Sequence, residues 1–400
     1  MRKEMKVYLL ILALTALGLG FSNDIVSNYF KDAYRVTAFQ RGIIEIPREL
    51  PGVLAVAIIS LLAMFSDIRI SVLAQFLSMI GMLVLGVFTP SFAVMLWFIF
   101  LNSLGMHLFF PLQDSIGLAL IQDGQTGKWM GRFKGIYTAW QMGAAIVVFI
   151  GFRTGLFSFE TPLKGPFLLA GLLALLTLLL LIYLQRLVHL PGSKHRKNRL
   201  ILRREYRHYY TLTVMYGVQK QIMMVYGPWV LIDLLSKKAD TIAMLSIVGG
   251  AVGIFFIPAL GRWMDRFGIK AMLYASALSF IAVYVLYGVL AAGYAGGWLA
   301  RSGWPVLLAY LIFVLDRMSN QINLVRTVYL QAIAVEASEI TPTLSVGQGL
   351  DHVMSIVCAT LGGVVWGIWG PQYIFFLAAL LSLVNLYVAY RVVLPASPAR

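Results

Sequence analysis

The stretch GRWMDRFGIK, Gly261 to Lys270, stands between two long apolar runs. It is a short charged turn joining two membrane helices, and the rest of the chain is built the same way. Apolar residues make up 60% of the sequence and charged residues 12%, with a mean hydropathy of +0.82. Such a composition excludes a water-soluble globule and makes the bilayer the solvent. A spanning helix needs roughly 20 mostly apolar residues, so the chain has room for about a dozen of them with short connections.

Position by position, Gly261, Asp265, Arg266, Gly268 and Lys270 fit the pattern GxxxDRxGxK of cytoplasmic loops in the major facilitator superfamily. The chain resembles that transporter family over its whole length. The resemblance implies an all-α integral membrane fold with twelve transmembrane helices in two pseudo-symmetric six-helix bundles, which alternate access to a midplane site. In the family, the Asp and Arg of this loop latch neighbouring helices in one facing state, which assigns gating to Gly261, Asp265, Arg266, Gly268 and Lys270. The first-half counterpart, AMFSDIRIS, keeps Asp67 but lacks the glycines and the adjacent arginine, so Asp67 carries the same role on a weaker match. Laying Asn102 on Asp316 also lays Gly135 on Gly349 and Ala145 on Ala359, but few other identities follow.

Apolar segments place six spans at roughly 7–29, 42–65, 69–89, 92–119, 133–152 and 164–185, and six more at roughly 209–235, 240–260, 270–292, 304–332, 345–368 and 372–391. The domains expected are an N-terminal bundle, 1–185, a basic linker, 186–208, and a C-terminal bundle, 209–400. The basic start MRKEMK and the apolar run behind it read as the first span, because no AxA-like cleavage site follows. The linker holds Arg186, Lys194, Arg196, Lys197, Arg199, Arg203, Arg204 and Arg207, which makes it cytoplasmic by the positive-inside rule. An even number of spans on each side then puts both termini inside, with Arg2, Lys3 and Lys6 at one end and Arg391 and Arg400 at the other. The expected location is the cytoplasmic membrane, multi-pass. The net charge of +15 is spread over loops that face anionic headgroups, so it does not indicate a nucleic-acid partner. With a lone cysteine, Cys358, no intrachain disulfide or CxxC metal site exists.

A charge in hydrocarbon costs at least about 2.5 kcal/mol, so ionisable residues inside spans are functional candidates. Span ten is the richest: Asp316, Ser319, Asn320, Asn323, Arg326 and Thr327 recur at helical spacing, flanked by Arg317 and Gln321. Span two reads RGIIEIPRELPG, where Glu45, Arg48 and Glu49 share a face if the segment is helical. Pro47 and Pro51 leave open an extended outer loop instead. Span eleven carries Gln348, Asp351, His352 and Ser355; span one carries Asn23, Asp24, Ser27 and Asn28; span seven carries Gln219, Lys220 and Gln221; span four carries Ser103, His107, Gln113 and Asp114. In the family, spans one, four, seven and ten line the central cavity.

Solute binding is therefore expected at Asn23, Asp24, Lys220, Asp316, Asn320, Asn323, Arg326 and Gln348. Converging cations such as Lys220, Arg326 and Arg48 suit a carboxylate or phosphate, while the equally numerous carboxylates keep zwitterionic and neutral solutes open. Tyr216, Tyr226, Trp140 and Trp229 are available for stacking. Asp351, His352 and Glu49, with Asp316 beside them, can carry a coupling proton, since each changes charge between water and a drier pocket. For each of these groups the alternative is a structural ion pair that holds helices together.

No HExxH, GxSxG or phosphate-binding loop is present, so the chain is not expected to be an enzyme and needs no cofactor or metal. The expected function is a monomeric secondary transporter of a small polar solute, anionic solutes included, coupled to protons. Two alternatives stand beside it: efflux of lipophilic compounds by proton antiport, and a nontransporting receptor on the same fold. Span five has Gly135 and Gly143 but no Gly-Pro, the feature that antiporters of the family share, which counts against drug efflux.

Overall fold

The computed structural model describes residues 2–62, 64–121, 126–188, 202–336 and 339–392, which are helical with no strand among them. The linker cations Lys194, Arg196, Lys197 and Arg199, and Arg400, lie outside the described residues. Helices follow from the solvent: in hydrocarbon each backbone N–H and C=O must be satisfied within its own segment.

From the N-terminus, α1 (Lys3–Ser22) and α2 (Val26–Tyr34) form span one, broken at residues 23–25. The second span is α3 (Ala38–Ile43) and α4 (Glu45–Leu61), and α5 (Asp67–Val87), α6 (Phe92–Leu120), α7 (Thr126–Arg153) and α8 (Gly165–Leu187) follow. In the second half, α9 (Arg207–Trp229) continues into a π turn, Val230–Leu234. After it come α10 (Ala239–Ala295), α11 (Trp304–Ile322), α12 (Leu324–Ile333), α13 (Ile340–Ile368) and α14 (Pro371–Arg391).

Eight helical runs among the described residues are long and apolar enough to cross a bilayer. One of them, α10, is 57 residues long and is two helices joined at Gly268, where φ is 79° and ψ is 165°. Only glycine occupies that region without strain, which accounts for the glycine at this point of GRWMDRFGIK. Three expected spans fall outside the eight: α4, α9 and the pair α11 and α12. α4, with 17 residues, and α12, with 10, are also short, and these helices carry Glu45 and Glu49, Lys220, and Asp316 and Arg326.

Two compact units make up the chain. The first is Met1–Arg35, Ile46–Lys197 and Lys238–Ile247, and the second is Val36–Glu45, Asn198–Lys237 and Val248–Arg400. The division at the linker expected from sequence differs from this at two segments: α3 with Glu45 packs in the second unit, and the start of α10 packs in the first. In the first unit α5 lies on α6 and α8, and α1 on α7 and α8. Tyr8, Leu12, Phe109, Ile116 and Leu181 are buried there, and the Tyr8 hydroxyl donates to the Gln113 carbonyl at 2.7 Å. In the second unit α9 lies on α13 and α14 around Tyr209, Leu260, Tyr329 and Val388. Tyr284 and Tyr287 of α10 donate to the carbonyls of Gln219 and Gly227 at 2.8 and 2.9 Å, so these buried phenols are satisfied.

Large apolar side chains also point outward: Phe255 is 78% exposed and Leu380 60%. Water would penalise such faces and lipid tails solvate them, which agrees with a multi-pass membrane protein. Gly268→Ala is predicted to cost about 1–3 kcal/mol of stability, because it forces a side chain into the glycine-only region. Gly261→Ala, in a helical and open position, should instead be neutral or stabilising by about 0.5–1 kcal/mol. Thermal melts of the two variants in detergent check the pair.

Candidate functional site

Successive residues of a helix point about 100° apart, and three of them on α9 reach three different neighbours. The side chain of Gln219 donates to the Ser382 hydroxyl of α14 at 2.7 Å and accepts from the Asn385 amide at 3.1 Å. Lys220 donates to Asp351 Oδ2 of α13 at 2.7 Å. Gln221 donates to Glu45 Oε2 at 2.8 Å. The first contact holds the unit together; the second and third involve charge.

One turn before Lys220, the Tyr216 ring is the centre of the charged cluster. The Arg326 guanidinium lies 4.2 Å from the ring centroid and the Lys220 ammonium 5.9 Å, both within cation–π range. Arg326 arrives there because span ten is broken: α11 ends at Ile322 and α12 starts at Leu324, with Asn323 between them. Upstream of the break, Asp316 is buried and Asn320 donates to its Oδ2 at 2.9 Å and to its backbone carbonyl at 3.0 Å. Several atoms of this cluster are buried with no hydrogen-bond partner among the described residues: Arg326 Nε and Nη1, Asp316 Oδ1, Asn320 Oδ1 and Asp351 Oδ1. Of the residues expected to bind solute, the second unit thus gathers Lys220, Asp316, Asn320 and Arg326, with Asn323 at the helix break. Gln348 sits exposed on α13, and His352 is half-buried next to Asp351 on the same helix.

Sequence reasoning passed over Arg41. Its guanidinium donates to Glu45 Oε1 at 2.5 Å, and both side chains are essentially inaccessible, 1% and 0% exposed. The i,i+4 spacing was the available signal. α3 starts with a capping box between Thr37 and Gln40 and ends within the second unit against α13. The approach is backbone to backbone: a Cβ on Gly42 would overlap the Ala359 carbonyl, which also accepts from the Tyr226 hydroxyl at 2.5 Å. Arg41, Glu45, Gln221 and Tyr226 form one dry polar cluster.

The first unit holds the remaining candidates. Asn23 and Asp24 occupy the break in span one, and Arg48 donates to Asn23 Oδ1 at 3.5 Å. Residues 45–61 are helical despite Pro47 and Pro51, which decides between the two readings of that segment in favour of a helix. Glu49 is buried, with a carboxylate oxygen within 4.8 Å of a His107 ring nitrogen. The Ser103 hydroxyl donates to the Arg48 carbonyl and lies 3.1 Å from His107 Nδ1.

At the loops, Asp67 begins α5 and accepts from the Ser115 hydroxyl of α6 at 2.5 Å. Lys270 donates to the carbonyls of Tyr390 and Val392, both at 3.1 Å, at the end of α14. Asp265 and Arg266 are exposed, with Arg266 5.2 Å above the Phe267 ring. Gly261 is in helix, and Gly268 supplies the bend.

The buried pair gives a stability prediction. Glu45→Leu leaves the Arg41 charge in a dry site and should cost about 3–5 kcal/mol, whereas Arg41→Met with Glu45→Leu should recover most of it. A double-mutant cycle on detergent melts measures both terms.

No protein-family model and no curated protein matches this chain. Solved structures do. A variant of the nucleoside transporter NupG is 14% identical with a TM-score of 0.79, covering 98% of this chain and 99% of that one. A POT family transporter in complex with a thioalcohol-conjugated peptide is 11% identical with a TM-score of 0.77, covering 97% and 96%. A bacterial homologue of the iron transporter ferroportin is 14% identical with a TM-score of 0.76, covering 98% and 99%. At these identities the likeness is one of fold, and over nearly the whole chain that fold is the all-α membrane fold of the major facilitator superfamily.

Proposed function

We propose that the chain is a secondary transporter of the cytoplasmic membrane, with both termini inside, that moves a small polar solute bearing an anionic group by alternating access and couples this to protons. Arg326 carries the reading. Its Nε and Nη1 are buried with no hydrogen-bond acceptor among the described residues, while the nearby Asp351 carboxylate is taken by Lys220. Buried polar groups normally have partners, so a cluster that leaves donors on Arg326 and acceptors on Asp316, Asn320 and Asp351 fits a ligand that supplies both kinds. The anionic group would meet Arg326 over the Tyr216 ring, and hydroxyl or amine donors would meet the carboxylates.

Small polar solutes are in keeping with the solved structures of like fold, which besides those above include a D-xylose–proton symporter, 14% identical with a TM-score of 0.67; the anionic group rests on Arg326 alone. The 2.7 Å pair of Lys220 and Asp351 supports the proton-coupling part of this reading. A proton on Asp351 removes its charge and frees the Lys220 ammonium to join Arg326 in holding the anion. Loss of that proton restores the ion pair and weakens the hold.

A thermal-shift screen of purified protein against organic anions, sugars, nucleosides and lipophilic cations finds the ligand by mass action. Arg326→Ala should then weaken binding of the stabilising anion about 10- to 100-fold, the equivalent of a charge-assisted hydrogen bond worth about 1.5–3 kcal/mol. Stabilisation by lipophilic cations alone, equal in both proteins, would replace this reading with drug efflux. In vesicles, Asp351→Asn should abolish uptake driven by a pH gradient and keep solute exchange; gradient-driven uptake that survives would move the coupling elsewhere.

A further inference from the structure

The first unit contains a cavity of about 40 Å³ that has no part in the solute site. It lies between α1, α5, α6 and α8 and is lined by Thr15, Ser22, Gln75, Ser78, Asn102 and Thr177 among apolar side chains, with no charged residue. At about 10–15 Å³ per water-sized sphere, it is roomy enough for a small ion with water.

What the lining presents is oxygen. The Thr15, Ser22 and Thr177 hydroxyls donate to the carbonyls of Ile11, Gly18 and Leu173 at 2.8, 3.1 and 2.8 Å, and Ser78 donates to the Asn102 carbonyl at 3.4 Å. With all four protons committed to backbone, these hydroxyls have only lone pairs left to offer. Asn102 spends its amide on a weak acceptor, Met106 Sδ at 3.5 Å. Gln75 is 5% exposed and makes no hydrogen bond among the described residues. It is a buried amide aimed into a polar cavity without a protein partner, and such groups need one.

The break in span one adds a field. Ser22 is the last residue of α1, so the negative end of that half-helix, with Gly18 and Leu19, borders the cavity. Half-helix C-terminal ends coordinate cations in broken transporter helices. A neutral cage of hydroxyl and amide oxygens, without a carboxylate, lacks the charge to strip a divalent ion of its water and suits a monovalent one.

We propose that this cavity is a binding site for a monovalent alkali cation, held by the amide oxygens of Gln75 and Asn102 and the hydroxyl oxygens of Thr15, Ser22, Ser78 and Thr177. The site stands on the first unit alone and does not depend on the solute reading. Binding there would stabilise the break at residues 23–25, which carries Asn23 and Asp24.

The test is the melting temperature of the purified full-length protein in sodium, potassium or choline chloride at equal ionic strength, so that the anion is constant. Sodium or potassium should give a saturable rise over choline that Gln75→Leu removes. Thr177→Val, which swaps a buried hydroxyl for a methyl of the same shape, should diminish the rise and serves if the first variant does not fold. Saturable retention of radioactive sodium by the wild-type protein, displaced by unlabelled sodium and not by choline, supports the site without any variant. Equal melting in all three salts with no retained sodium, or a rise that survives in both variants, overturns it and leaves water as the occupant.

Discussion

Hydrocarbon cannot hydrogen-bond, and every other feature of this chain depends on that. Each polar group that enters a span must find a partner there, or its burial carries a large penalty. The ion pairs answer this directly: Arg41 with Glu45, which is fully buried, and Lys220 with Asp351, which is partly buried. The tyrosines of α10 answer it for the phenol groups by donating to carbonyls of α9. Against that background Arg326 differs, with two buried nitrogens that have no hydrogen-bond partner among the described residues.

Most of the helices that carry these groups are too short or too polar to count as clear membrane spans. α4, α9 and the pair α11 and α12 fall outside the runs that are both long and apolar enough, and three spans are interrupted, at residues 23–25, at Ile44 and at Asn323. An interruption frees backbone groups and redirects side chains, which lets Asp316 and Arg326 sit on one span yet on different sides of a break. Stability is spent at these places: a π turn follows α9, and Pro51 lies within α4. Such devices are tolerated in membrane helices where other parts of the protein satisfy the freed groups.

Much of this was legible in the sequence where the helical period does the work. The stripe Asp316, Asn320, Asn323 and Arg326 follows from spacing alone, and GRWMDRFGIK carries the resemblance that implies the fold. The charge of Lys220 among apolar residues was legible, but its pairing with Asp351 was not, because 131 residues separate the two and the direction each side chain faces is set by packing. Arg41 with Glu45 is legible from i,i+4 spacing only if the segment is helical, which Pro47 and Pro51 leave open in the sequence. The oxygen-lined cavity has no sequence signature at all, since four helices contribute one or two small polar residues each.

A solute that binds at Tyr216 must also cross the membrane, and counterflow in proteoliposomes tests this most directly. Vesicles loaded with the unlabelled stabilising solute are diluted into a trace of the labelled one. Transient accumulation of label above its equilibrium level, dependent on the protein, is the predicted result. Tight binding by the purified protein with no accumulation of label would contradict transport and make the chain a receptor built on this fold.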